Sequence, residues 1–161
     1  MAVVKLKNPQ LAVVRVADLT NPSGTRTESA VGDGTFTIVT DEPEERGGTN
    51  TAAAPLFHFT TSLGACQAVQ IRKVAEAMRM EIGEIRIKTE TTTDRIDGID
   101  GKNKVMRFCA AELTIDLETN ESEDKIERLK KISEDQCPVG NLFTDAGYEP
   151  VLHWNIHPLK G

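Results

Sequence analysis

The chain has 161 residues, a formal net charge of −6, and apolar and charged fractions of 39% and 27%. That is enough material for one domain with its own core, placed here over residues 1–161. An acidic balance without a dense basic patch argues against nucleic-acid or anionic-membrane partners, since the basic run at 128–131 is interleaved with acids.

Residues 11–40 have strand character. LAVVRVA (11–17) is apolar and β-branched, and GTFTIVT alternates around Phe36 and Ile38 after the Gly-Asp-Gly turn at 32–34. The stretch 41–54, with Pro43, two glycines and a charge block ending at Arg46, is a loop. From Gly47 to Ile71 there is no Asp, Glu, Lys or Arg. Pro55 opens a helix that runs to about residue 80, with Phe59, Leu63, Cys66 and Val74 near one face. Because neither face carries charge in its first half, this helix is expected to be covered on both sides, by a sheet and by a second subunit. It holds too many Ser, Thr, Gln, Gly and His residues for a membrane span.

Ile82, Ile85 and Ile87 mark a strand, DGIDGKNK a turn, and VMRFCAAELTIDLE (105–118) a long strand. Strict alternation would place Val105, Arg107, Cys109, Ala111, Leu113, Ile115 and Leu117 on one side, where Arg107 is the only charge. A helix from Ser122 to about 136, a shorter one after Pro138 and a closing strand in EPVLHWNIHP complete the order. Strands, helix, strands, helices, strand is an α+β arrangement.

Three cysteines at wide spacing do not make a secreted disulfide framework, and MAVVKLKNPQ lacks the pattern of a signal peptide. The expected location is the cytoplasm. Cys137 precedes a proline at a helix start, so its thiolate would meet free N–H groups that lower its pKa; the competing reading is a simple joint between helices. Cys66 in the long helix and Cys109 in the strand each read, taken alone, as small core hydrophobes. His153 and His157 are four apart in a strand, about 13 Å from each other, too far to share one ion. His58 is about 12 Å along the helix from Cys66, too far to activate it. Asp94, Asp97 and Asp100 lack the spacing of a calcium loop. No metal, nucleotide or other cofactor is indicated.

Taken together, PLFHFTTSLGACQ and the downstream QCPVGNLF resemble the OsmC/Ohr superfamily, the osmotically inducible protein C and organic hydroperoxide resistance proteins. The order of elements over most of the chain is similar as well. The resemblance implies antiparallel sheets packed around a long central helix in an intertwined homodimer. It also implies a thiol peroxidase in which Cys66 attacks an organic hydroperoxide and Cys137 resolves the sulfenic acid to a disulfide, which an external dithiol reduces. Phe59 and Leu63 would line an apolar substrate pocket. One position departs from the pattern: where the peroxidases carry a Glu that positions a thiolate-stabilising Arg, this chain has Leu56. Arg26 and Arg46 are the two candidates for that cation. The alternative that follows from Leu56 is a noncatalytic dimer binding a hydrophobic or electrophilic small molecule.

Overall fold

The computed structural model describes residues 13–160 and divides between Phe57 and His58 into two compact units. In the first, β1 (Ala17–Ser23), β2 (Arg26–Val31) and β3 (Phe36–Thr40) form an antiparallel sheet in that order. The expected strand at 11–17 is displaced: residues 11 and 12 lie outside the described residues, and 13–16 carry no regular structure. β-branched residues favour a strand only where a partner completes the ladder, and β2 pairs with Ala17–Ser23 instead. The Pro22 this places in β1 sits at an irregularity of an edge strand, where a missing N–H costs least.

The loop after β3 is organised by Asp41, which is buried. Its carboxylate accepts from Thr25 Oγ1 (2.9 Å), Thr49 Oγ1 (2.6 Å), Thr51 Oγ1 (3.0 Å) and the amides of Glu42, Thr49 and Thr51. A single 3-10 turn at Glu44–Arg46 follows Pro43. Gly48 closes the loop so tightly that a Cβ would lie 1.7 Å from the Glu42 carbonyl oxygen.

The second unit begins in α1 (Pro55–Ala77) and continues through β4 (Ile82–Asp97), β5 (Lys104–Thr119), α2 (Glu123–Asp135), α3 (Pro138–Asp145) and β6 (Val151–His157). Its sheet has the order β4-β5-β6. The expected antiparallel pairing holds for β4 with β5, whereas β6 runs parallel to β5 because α2 and α3 carry the chain back between them. Leu113, Ile115 and Leu117 of β5 pack with Leu63, Ile71 and Val74 of α1 and with Ile126, Leu129 and Phe143 of the following helices. α1 buries one face only. Phe57, Ala65 and Val69 on the other are exposed.

The alternation expected along β5 breaks at Cys109. Thr92 pairs with Ala110 and Thr93 with Phe108, so Cys109 is the extra residue of a bulge. Phe108 consequently packs against the core and Cys109 is exposed, its thiol donating to the Thr92 carbonyl at 3.4 Å. The core role expected for Cys109 is thereby corrected.

Candidate active site

α1 is held in register by its small and polar residues. Gly64 lies so close to β4 that a Cβ would come within 2.3 Å of Thr89 Oγ1. Thr60 and Thr91 share a 2.7 Å hydroxyl hydrogen bond one turn earlier. Gln67 donates from Nε2 to Ser133 Oγ at 3.4 Å in a buried contact with α2. These contacts fix the rotation of the helix and leave the intervening Cys66 half-buried.

Cys137 is the N-cap of α3, as its place before Pro138 predicts. Its Sγ accepts from the Gly140 amide at 3.4 Å. Its amide donates to Glu134 O (3.1 Å) and its carbonyl accepts from Asn141 N (2.9 Å), while Asn141 Nδ2 reaches Asp135 O at 2.9 Å. The backbone around the thiol is thus tied to both helices, and Cys137 is only 1% exposed.

Cys137 lies near enough to Cys66 to feel its charge. Burial is the largest influence on Cys137 and pushes its pKa above the ordinary thiol value; the nearby Cys66 pushes the same way. The Gly140 and Val139 amides oppose the shift without reversing it. The lowered pKa expected from the N-cap is therefore corrected. Two backbone donors are outweighed by loss of solvent.

Phe59 and Leu63 do not share a pocket. Phe59 lines an apolar cavity of about 360 Å³ with Phe108, Phe143, Leu142 and Tyr148. The rings of Phe59, Phe108 and Phe143 stack at centroid distances of 4.9 to 5.9 Å. Leu63 is a core residue at the floor of a separate cleft of about 850 Å³ beside α2 and α3, where Gln67 and Gly140 also line the wall. Phe108 and Phe143 went unmarked in the sequence reading, though Phe143 ends the QCPVGNLF stretch. The partnership of Gln67 with Ser133 had no local signal.

Arg26 and Arg46 belong to the first unit. Arg26 donates to Thr51 Oγ1 (2.8 Å) and Glu28 Oε1 (3.0 Å), whereas the more exposed Arg46 pairs with Glu42 at 3.5 Å. His157 lies 2.9 Å from Asp116 and His153 4.0 Å from Glu112, each pairing across β5 and β6. Asp100 caps the β4–β5 turn through the Lys102 and Asn103 amides. Among the described residues no cluster of His, Cys, Asp or Glu could hold a metal ion, and no helix is long and apolar enough to cross a membrane.

A profile of the family described as OsmC-like protein matches residues 48–149. A search of curated protein sequences found no match. Among solved structures, an organic hydroperoxide resistance protein from Elizabethkingia anophelis is similar with a TM-score of 0.70 at 17% identity, covering 92% of this chain and 99% of that one. An OsmC-like protein from Mycoplasma pneumoniae gives 0.67 at 18% identity, covering 91% and 96%. An organic hydroperoxide resistance protein OsmC from Legionella pneumophila gives 0.65 at 17%, covering 89% and 97%. At these identities the likeness is one of fold.

Proposed function

The chain belongs to the OsmC-like protein family, and from that premise we propose that it is a two-cysteine thiol peroxidase acting on organic hydroperoxides. The observation that supports this reading is the nearness of Cys66 and Cys137, one thiol half-buried on α1 and the other buried at the start of α3. Organic hydroperoxide resistance proteins share the fold, which supports the same assignment.

In the proposed cycle the Cys66 thiolate attacks one peroxide oxygen. The S–O bond forms as the O–O bond breaks, leaving a sulfenic acid and an alkoxide that takes up a proton as alcohol. Cys137 then attacks the sulfenic sulfur, forming the disulfide; hydroxide departs and leaves as water with the thiol proton. A dithiol reduces the disulfide and is itself oxidised, which suits a reducing compartment such as the cytoplasm. Arg26 and Arg46 remain the two proposed thiolate partners; Thr51 and Glu28 hold the Arg26 guanidinium, and Arg46 pairs with Glu42. The active form is proposed to be a homodimer, because among the described residues the outer face of α1 and apolar side chains of the N-terminal sheet are exposed.

A noncatalytic small-molecule-binding dimer is the second reading. It is favoured by Leu56, which stands where the resemblance implies an acid. One experiment separates the two. Reduced protein is treated with one equivalent of cumene hydroperoxide, and thiols are counted and disulfides mapped by mass spectrometry. Rapid loss of two thiols with a 66–137 linkage is expected. Cys66→Ser should abolish turnover, and Cys137→Ser should stop at a single sulfenic acid. Three thiols still free after long incubation would give the binding reading the lead.

A further inference from the structure

α1 and α2 each bury an apolar stripe that is interrupted by a polar residue. On α1 the stripe includes Leu63, Gln67, Ile71 and Val74; on α2 it is Ile126, Leu129 and Ser133. Gln67 is 3% exposed and Ser133 0%, and the two are partners: Gln67 Nε2 donates to Ser133 Oγ at 3.4 Å. The Ser133 hydroxyl donates its own proton to the Lys130 carbonyl at 3.1 Å. It therefore accepts from Gln67, and the polarity of the contact is fixed. Gly64 and Thr60 set α1 against β4, whereas the Gln67 amide ties the same helix to α2.

A buried amide–hydroxyl pair adds little net stability, because each group gives up water to make the bond. Its effect is on register. Sliding or rotating one helix against the other would leave both groups buried and unpaired, a penalty that purely apolar stripes do not impose. The register concerned is that of the thiols. Gln67 directly follows Cys66, and Ser133 stands four residues before Cys137, whose amide is tied back to α2 through Glu134 O at 3.1 Å. We propose that Gln67 and Ser133 are positioning residues for disulfide closure: their hydrogen bond holds α1 and α2 in the register from which Cys137 reaches Cys66. The use of that closure in peroxide reduction rests on the two-cysteine reading above; the closure itself can be measured without peroxide.

The test is equilibration of the protein with oxidised and reduced dithiothreitol. The two thiols lose two electrons and two protons to the cyclic disulfide of the reagent, and the 66–137 linkage is quantified by mass spectrometry. Wild type, Gln67→Met, Ser133→Ala and the double variant are compared. Gln67→Met keeps the volume without the donor, and Ser133→Ala deletes a single oxygen. Each single variant should lower the equilibrium constant for the linkage about tenfold, since a misplacement of about 1 Å can cost about a hundredfold. The double variant should keep that loss without adding to it, as coupled partners do. It should nevertheless regain thermal stability over Ser133→Ala, because no buried donor is left unpaired; a merely stabilising contact would recover both. Equilibrium constants within about twofold of wild type in both single variants, additive losses in the double variant, or no 66–137 linkage in wild type would overturn the proposal. One equivalent of cumene hydroperoxide separates the two claims. A linkage that forms under dithiothreitol and weakens in the variants, with no peroxide consumed, would uphold the positioning role and sink the peroxidase. Peroxide turnover with equal equilibrium constants in all four proteins would do the reverse.

Discussion

Residues 58–160 bury a continuous apolar cluster from Leu63 to Phe143, whereas residues 13–57 bury no apolar side chain at all. Among the described residues of the N-terminal unit the buried ones are Thr40 and Asp41, and its sheet leaves Leu19 62% and Phe36 66% exposed. The two regions therefore hold together by different means. One is a packed sheet and helix layer; the other is a hydrogen-bonded knot around one carboxylate, with apolar side chains left exposed on its sheet. Stretches of comparable β content thus differ in what they need from outside: the second closes its own core, and the first is completed by another chain in the proposed homodimer.

The largest test of that contrast is Ile115→Ala, which removes a fully buried side chain and should cost about 2–5 kcal/mol in denaturant unfolding. Phe36→Ala should stay within about 0.5 kcal/mol in dilute monomer, yet lower a concentration-dependent melting temperature if the sheet is covered by a partner. A Phe36→Ala loss as large as that of Ile115→Ala in monomer would erase the contrast. Gly64→Ala should cost about 1–3 kcal/mol through overpacking against Thr89, read from the same unfolding curves.

Smaller and more local is the effect of Asp41. Its hydrogen bonds, with Thr49 foremost, hold its carboxyl well below the usual range. A depressed pKa stabilises the folded form fully above the unfolded value, near about 4, and the contribution is lost as pH falls toward the lower folded value. Thr49 and Thr51 amide protection, followed by hydrogen exchange, should be flat above pH 4 and fall below it. Asp41→Asn should weaken it at every pH. A profile identical in the variant would remove Asp41 from its organising role. The smallest effect concerns Cys109: being exposed, it should react with iodoacetamide before the buried Cys137, as peptide mapping would show, and Cys109→Ser should leave stability within about 0.5 kcal/mol.

How far the sequence carried these features depends on whether the information was local. The charge-free run after Pro55 and the Cys-Pro step at 137–138 are local, and α1 and the α3 cap follow from them. A one-residue bulge is not local. Whether Phe108 or Cys109 faces the core is decided by how Thr92 and Thr93 pair across the ladder, and no propensity in VMRFCAAELT records that choice. The direction of β6 was hidden for a similar reason, since pairing partners are set by the crossover through α2 and α3. The Cys137 pKa depended on burial by several elements at once. The aromatic cavity draws one phenylalanine from each of α1, β5 and α3, three segments that meet only in the folded unit.

The parallel pairing of β6 with β5 also bears on synthesis. β5 and its ribbon partner β4 leave the ribosome well before Val151–His157, so one edge of β5, flanked by Leu113, Ile115 and Leu117, stays open until the last strand emerges. Open apolar edges are templates for association between nascent chains. A chain truncated before Val151 would carry that edge permanently, and its fate would be clearance or aggregation.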